Sequence, residues 1–210
     1  RGLGDVYKRQ IQRWYRKIYG RFYDVLDVNA LPPRARRLPS PKHGRPDVVH
    51  RTVLAVTDHP LYRMGLVDLY LHTVDGRVFH FSKDVKPPRN YVRFLGLMDK
   101  LLSEGWVGPS KEEALIWEIP LQLSEIAGGK FFLLEETGEG ADPLGFLKKV
   151  DWRSSSFIVG CFPYGEFSDY IRELALSSLS LYGESLSSSI TVSMLLTFMY
   201  YLEVWGSEEE

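Results

Sequence analysis

The sequence lacks a cysteine framework, a long apolar run and an excess of charge of either sign. Its single cysteine, Cys161, excludes an internal disulfide and is typical of a reducing compartment, which predicts a cytosolic protein. The most apolar stretch, residues 190–205, is interrupted by polar side chains and is too short to cross a bilayer. We expect it to form a buried or interface helix.

Common signatures of catalysis and nucleotide binding are also missing. There is no P-loop and no GxGxxG motif, and no nucleophilic triad suggests itself. The five histidines show no metal-ligand spacing with Cys161, so the sequence predicts no metal site. Cys161 follows an apolar run and is interpreted as a small core residue.

The charge is balanced overall but is distributed unevenly. The 210 residues are 44 % hydrophobic and 13 % aromatic, which is enough for the core of one folded domain, and the net charge is −1. Between residues 34 and 51, however, one acid, Asp47, stands against six basic residues. These are Arg34, Arg36, Arg37, Lys42, Arg45 and Arg51. Such a cluster favours a phosphate-binding face, and the alternative is a solvated basic loop.

The chain divides into four segments by composition. Residues 1–10 resemble read-through of a sequencing adapter and are left out of the fold prediction. Residues 11–24 are unassigned, residues 25–205 are expected to form one domain, and residues 206–210 form an acidic tail.

Short apolar runs alternate with segments of helical spacing. We predict strands at residues 25–28, 66–73, 78–81, 131–134 and 157–159, and helices at residues 48–56, 90–102 and 186–205. Asp75-Gly76 marks a hairpin turn, and Asp47 is expected to cap the first helix. This alternation predicts an α/β fold with a central parallel sheet flanked by helices.

Two groups of basic residues are candidates for an anion site. Arg45 and Asp47 flank Pro46, and a guanidinium so close to a carboxylate can pair with it and keep donors for phosphate. Arg89 and Arg93 are four apart near the start of a predicted helix, with Lys86 one turn earlier. Cations at the positive end of a helix dipole are unfavourable without an anion, which favours a phosphate site. The alternatives are a structural Arg–Asp pair and a solvated helix face.

A glycine turn follows the predicted strand at residues 157–159. Gly160 and Gly165 bracket it, and glycine permits the close approach of a ligand to the backbone. Ligands gather at the carboxyl ends of parallel strands, so this turn is a candidate binding site.

These segments, in this order, resemble the pseudouridine N1-specific rRNA methyltransferases of small-subunit ribosome biogenesis, the Nep/Emg family of the SPOUT class. The similarity covers roughly residues 25–205. The matching runs are residues 44–50 (GRPDVVH), 65–73 (GLVDLYLHT), 88–98 (PRNYVRFLGLM), 158–168 (IVGCFPYGEFS) and 180–186 (SLYGESL).

The resemblance implies a SPOUT methyltransferase fold with a C-terminal trefoil knot that binds S-adenosyl-L-methionine, and a homodimer that binds rRNA across basic surfaces. It assigns the binding of RNA and of the target nucleotide to Arg45, Lys86, Arg89 and Arg93, and it makes Arg45 and Asp47 the catalytic residues. It also implies that the family's opening strand lies ahead of residue 25. The residues that it assigns to the cofactor are Leu134, Gly160, Gly165, Glu166, Phe167, Leu181, Tyr182, Gly183, Glu184, Ser185 and Leu186.

The chain departs from the family pattern at three places. Lys86 stands where the family has arginine, Gly183 and Ser185 stand where archaeal relatives tend to have prolines, and Leu134-Glu135-Glu136 replaces a segment richer in serine. The implied function is methylation of N1 of a pseudouridine in small-subunit rRNA. The alternative is an RNA-binding assembly factor on the same scaffold with little or no methyltransferase activity. An enzyme of the same class acting on tRNA is disfavoured because its motifs would differ.

Overall fold

A computed structural model describes residues 16–19, 25–31, 44–126, 130–139, 142–162 and 165–206. The expected artefact at residues 1–10, most of the basic segment at 32–43 and the end of the acidic tail lie outside these ranges. The helices are α1 Pro46–Thr57, α2 Pro60–Arg63, α3 Tyr91–Glu104, α4 Pro143–Val150, α5 Asp169–Leu174 and α6 Ser188–Val204. The strands are β1 Leu69–His72, β2 Val78–Phe81, β3 Trp106–Val107, β4 Ile116–Ile119, β5 Phe131–Glu139, β6 Ser156–Val159 and β7 Ala175–Leu179.

The first sheet is antiparallel, with four strands in the order β1-β2-β4-β3. The predicted hairpin between β1 and β2 is confirmed: Gly76 adopts a φ of +85°, which glycine allows without strain. One face of this sheet carries Phe79, Phe81 and Ile116, all at 0 % exposure in the main core. The sequence analysis did not predict β3 or β4.

The second sheet is parallel, with three strands in the order β6-β5-β7. The predicted apolar strands are confirmed in β5 and β6, and residues 131–134 of β5 are all buried. The expected single central sheet is corrected, because the parallel sheet has three strands and the antiparallel sheet is separate from it. β7 was missed because Ser177 and Ser178 weaken its apolar pattern.

The predicted helices are confirmed with small shifts of their ends. The Asn90 side chain accepts a hydrogen bond from the Arg93 amide at the start of α3, and Gly105 ends that helix in the left-handed region. Pro46 takes the first position of α1, where a missing N–H costs nothing. α6 begins two residues later than predicted and packs against α1. None of the helices that the structure describes combines the length and apolar character needed to cross a membrane.

The predicted strand at residues 25–28 is wrong. Val28–Ala30 forms a 3₁₀ turn because the Asp27 carboxylate accepts the Asn29 amide, a local bond that competes with strand pairing. Asp27 is 0 % exposed, and the hydroxyls of Tyr19 and Tyr91 each donate to it at 2.6 Å. Burial and this carboxylate raise the pKa of Tyr91. The buried cluster ties the segment before α1 to the start of α3.

Candidate functional site

The carboxyl ends of the three parallel strands surround a cavity of about 360 Å³. β5 contributes Leu134, β6 leads into Gly160, β7 leads into Ser180, and α6 closes the cavity with Thr191. This is the edge of a parallel sheet at which ligands are expected, and the volume is that of a small-molecule site. The full lining is Leu134, Glu135, Glu136, Thr137, Val159, Gly160, Phe162, Gly165, Glu166, Phe167, Arg172, Leu179, Ser180, Leu181, Tyr182, Glu184, Ser185, Leu186, Ser188 and Thr191.

Residues predicted for the cofactor from the sequence meet at this cavity. All of them line it except Gly183, which lies in the loop between two lining residues. Gly183 adopts a φ of +81°, and its amide donates to Ser180 Oγ at 2.9 Å, so it shapes the loop. The structure thus brings together three segments that lie up to about 50 residues apart.

Gly160 is required by the packing of the cavity wall. A Cβ built on Gly160 would lie 2.8 Å from the Phe162 ring and 3.4 Å from the Phe167 ring. The Gly160 carbonyl accepts a hydrogen bond from Ser188 Oγ, which fixes this turn to the first residue of α6. The expectation was that a side chain here would meet a ligand directly; in the structure it first meets two aromatic rings.

Charged side chains occur on the cavity wall together with apolar ones. Arg172, from α5, forms two hydrogen bonds to the Glu135 carboxylate at 3.1 and 3.3 Å and lies 3.6 Å from Glu166. Glu136 and Glu184 also line the cavity, so carboxylates outnumber the arginine. Apolar walls with an excess of carboxylates suit a ligand that has apolar parts and a positive charge.

The Gly-Arg-Pro-Asp segment forms a compact ion cluster at the start of α1. Arg45 binds Asp47 through Nε at 2.7 Å and Nη2 at 2.9 Å, and Arg51 binds the same carboxylate at 3.0 Å. The hydrogen bonds from Arg45 hold the pKa of Asp47 below its ordinary value, against the opposing effect of partial burial. The predicted capping role is wrong, since Arg45 is the residue before the first turn and Asp47 makes no capping bond.

The second basic group lies at and before the start of α3. Arg89 precedes the helix, so it does not share a helix face with Arg93 as predicted. Its guanidinium pairs with Asp58, the residue that ends α1, at 3.0 Å. Lys86 and Arg93 are exposed and form no ion pair with any residue in the described ranges. Two fixed cations therefore face solvent beside a third that is already paired.

α1 connects the basic groups with the cavity. His50 Nε2 donates to the Pro88 carbonyl at 2.7 Å, and its ring stacks on Phe94 of α3 at 4.4 Å. On the other side, the Thr52 side chain lies close to Cys161, the residue after Gly160, while its hydroxyl donates to the Val48 carbonyl at 2.9 Å. Burial raises the pKa of the Cys161 thiol, which fits its interpretation as a packing residue.

Sequence reasoning missed Arg172 and Phe162. The carboxylate to which Arg172 forms its hydrogen bonds, that of Glu135, lies 37 positions away, and only the fold joins the two. Phe162 could have been predicted as a cavity residue, because it lies between Gly160 and Gly165 in the glycine turn. Within the described ranges, no three His, Cys, Asp or Glu side chains are grouped so as to hold a metal ion.

The sequence pattern of this chain is shared by a known protein family. The family model described as EMG1/NEP1 methyltransferase matches residues 23–199. The chain belongs to this family. Among EMG1/NEP1 relatives, the ribosomal RNA small subunit methyltransferase Nep1 of Staphylothermus marinus is 32 % identical over 159 residues, which is 74 % of this chain and 69 % of the relative. The Aeropyrum pernix protein of the same name is 37 % identical over 144 residues, 68 % of this chain and 64 % of the relative.

A solved structure of the EMG1/NEP1 family has the same fold. The crystal structure of Archaeoglobus fulgidus Nep1 bound to S-adenosylhomocysteine matches with a TM-score of 0.72 at 28 % identity. The match covers 86 % of this chain and 81 % of that one. The chain spans about two thirds of the length of the Staphylothermus and Aeropyrum relatives.

Replacing Asp47 with Asn removes a carboxylate whose pKa lies below its ordinary value. The folded state gains stability from this carboxylate above the ordinary aspartate pKa of about 3.9 and loses it as pH falls through the lower folded value. We expect Asp47→Asn to be about 1–2 kcal/mol less stable at pH 7 and to lose less stability than the wild type between about pH 5 and pH 2. Urea unfolding over this pH range measures both effects. The exposed Asp84→Asn change is the control, and parallel curves for wild type and Asp47→Asn would contradict the ion pair.

Proposed function

We propose that this chain transfers a methyl group from S-adenosylmethionine to N1 of a pseudouridine in small-subunit rRNA, in ribosome biogenesis. The observation that carries the proposal is the position of α1 between the two candidate sites. Asp47 lies in its first turn, and Thr52, five residues on, lies close to Cys161 beside the cavity. Five residues of helix rise about 7.5 Å, so a nucleotide bound at Arg45 lies within reach of a ligand in the cavity.

The cavity fits S-adenosylmethionine by its chemistry. Leu134, Leu181 and Leu186 offer apolar walls for the adenine, and the carboxylates of Glu135 and Glu166 offer acceptors for hydroxyl and ammonium groups. When bound, S-adenosylmethionine supplies an electrophilic methyl group on a positively charged sulfur. The product bound in the Archaeoglobus relative, S-adenosylhomocysteine, lacks that methyl group and supports the same ligand class here.

The transfer forms a bond between N1 and the methyl carbon, breaks the bond between that carbon and sulfur, and releases the N1 proton. Asp47 already accepts from two guanidinium groups and its pKa is lowered, so it is a poor acceptor for that proton. We assign Asp47 to orienting Arg45, and Arg45 to holding the target nucleotide. Positioning of the two reactants then supplies most of the acceleration. The target base has to leave its stack to reach the cavity.

The basic residues provide the RNA-binding surface of the proposal. Lys86 and Arg93 face solvent, and Arg89 keeps donors beyond those that Asp58 occupies. Arg45 lies at the start of α1, Arg89 pairs with the residue that ends α1, and Arg93 lies in the first turn of α3. Phosphate contacts of this kind fix the register of an RNA, while the pocket selects the base.

The assembly and the topology belong to the same proposal. We propose a trefoil knot in which the loop at residues 181–186, together with Gly160 and residues 165–167, holds the cofactor. We also propose that the chain forms a homodimer and acts in the cytoplasm. The homodimer is supported by α6, on which Ile190 and Tyr201 are 51 % and 40 % exposed. Apolar side chains of this size on one helix suit a contact with a second copy.

Methyl transfer itself is tested with small-subunit rRNA that contains pseudouridine. Incubation with S-adenosylmethionine should add one methyl group to a pseudouridine, detected by mass spectrometry of nuclease digests. Arg45→Ala should lower the rate on the order of 100-fold, because the nucleotide loses its positioning. Arg51→Ala, which removes the other cation on Asp47, is the matched control. RNA binding without any methylation by the wild type would instead indicate an assembly factor.

Gly160→Ala tests the cofactor site. The new Cβ pushes the Phe162 ring toward the cavity, so the affinity for S-adenosylmethionine should fall at least about tenfold, the equivalent of about 1.4 kcal/mol. RNA affinity should not change. Gly145→Ala is the control for lost stability, since its Cβ meets the Asp142 carboxylate away from the cavity. Calorimetry measures the affinity, and a folded Gly160→Ala protein with unchanged affinity would remove the assignment.

Arg93→Ala tests the phosphate contact. Loss of one phosphate contact should weaken RNA binding and lower the slope of log affinity against log salt concentration by about 0.7 for single-stranded RNA. Arg153→Ala is the control, because Arg153 is also exposed and pairs with Glu203 on α6. Binding isotherms at several salt concentrations give the slope. Equal slopes for wild type and Arg93→Ala would show that Arg93 contacts no phosphate and is only a solvated surface residue.

A further inference from the structure

Four aromatic side chains form a row straight across the antiparallel sheet, one from each strand. Tyr70 of β1 pairs with His80 of β2, His80 pairs with Trp117 of β4, and Trp117 pairs with Trp106 of β3. Residues that are directly paired lie on the same face of a sheet, so all four rings share one face. We call these four residues the aromatic row.

Three rings of the aromatic row, those of Tyr70, His80 and Trp117, contact one another in turn, and all four rings remain partly open to solvent. The ring centroids of Tyr70 and His80 are 4.8 Å apart, and those of His80 and Trp117 are 4.6 Å apart. Tyr70 is 37 % exposed, and the other three rings are half-buried. The row thus presents three rings in contact, with Trp106 paired beside them in the sheet, and no described segment covers this surface completely.

The rest of this sheet face is covered, which sets the aromatic row apart. Val78 lies two residues from His80 on the same face and is 1 % exposed, packed in one cluster with Leu123 and Ile126. The opposite face is the main core. Core packing therefore accounts for the covered part of the sheet and leaves the aromatic row at the surface.

One end of the aromatic row lies beside a cation, Lys100, which is on the same helix as Arg93 of the proposed RNA surface. The Lys100 ammonium lies 4.5 Å from the centre of the Trp106 ring and 3.9 Å from Glu104. At the other end, Asp68 lies 3.4 Å from His80 Nε2. Lys100 is seven residues after Arg93 on α3, which places the two cations on one side of the helix about 10 Å apart. A strand of RNA held at Arg93 can follow α3 to the row.

We propose that the aromatic row is a stacking surface for unpaired bases of the same RNA, flanking the nucleotide bound at Arg45. The inference rests on the proposed function, because it takes the RNA from the surface at Arg93. Aromatic rings on a sheet stack unpaired bases without sequence preference, since every base has a π-face. The Lys100 ammonium beside the Trp106 ring then holds a connecting phosphate.

The test uses a fluorescein-labelled oligouridine of about 12 nucleotides, long enough for both surfaces. Tyr70→Leu and Trp117→Leu keep an apolar side chain but remove the flat ring. Each should weaken binding at least about fivefold without changing the salt slope, because no phosphate contact is lost. Tyr170→Leu on α5 is the matched control, since Tyr170 is 42 % exposed and lies off the row. Anisotropy titrations at several salt concentrations measure both quantities.

A second readout needs no substitution. An oligouridine that carries 4-thiouridine, irradiated on the wild type, should crosslink to peptides that contain Tyr70 or Trp117. Affinity unchanged in both Leu variants, with no crosslink on these peptides, overturns the proposal. If Arg93→Ala still weakens binding in that case, the proposed function stands and only the aromatic row fails.

Two other occupants of the aromatic row would show in the same experiments. Light scattering that finds a dimer for wild type and a monomer for Tyr70→Leu would make the row a contact between copies and overturn the proposal. Equal weakening of single-stranded RNA and of a fully paired hairpin would also overturn it, since paired bases cannot stack on the rings. Thermal melts of each variant confirm that the fold is kept.

Discussion

The packing of α1 between α3 and α6 is the constraint on which both candidate sites depend. His50 anchors the helix to α3 through a ring contact and a hydrogen bond to the Pro88 carbonyl, and the opposite side meets α6. Thr52 contacts Cys161 at the cavity. Because the interior of a protein is close-packed, a shift of α1 would move the Arg45–Asp47 pair relative to the cavity. A fixed distance between the two ligands is what methyl transfer requires.

The two sites use charge in opposite ways. At the start of α1, two guanidinium groups hold one carboxylate and leave an excess of positive charge. In the cavity, one arginine lies among several carboxylates and leaves an excess of negative charge. A polyanion and a cationic small molecule are therefore drawn to neighbouring places rather than to the same place. The near-zero net charge of the chain conceals this separation.

Local patterns predicted about half of the helices and strands and the glycine turn of the cavity, while the other cavity residues were assigned from the family resemblance. The hairpin at Gly76, the helix after Asn90 and the glycine turn at Gly160 each follow from a few adjacent residues. What failed depends on contacts between distant segments. Residues 25–28 do not form the predicted strand because the Asp27 side chain accepts a hydrogen bond from the Asn29 amide. Arg172 binds Glu135 only because the fold brings α5 next to β5.

The aromatic row shows the same limit. Trp106, Trp117 and Tyr70 are ordinary strand residues in the sequence, spread over about 50 positions. Only the register of the sheet places them side by side. Pairing partners in a sheet are set by packing between distant segments, so they cannot be read from local patterns in a single sequence.

The ion pair between Arg89 and Asp58 affects how firmly an RNA can be held. A phosphate that binds the remaining donors of Arg89 lies near the Asp58 carboxylate, which already pairs with this guanidinium at 3.0 Å. Repulsion between the two anions lowers the affinity gained from this contact. In the proposed RNA complex, this competition between Asp58 and the phosphate for Arg89 shortens the residence time of the protein on the RNA.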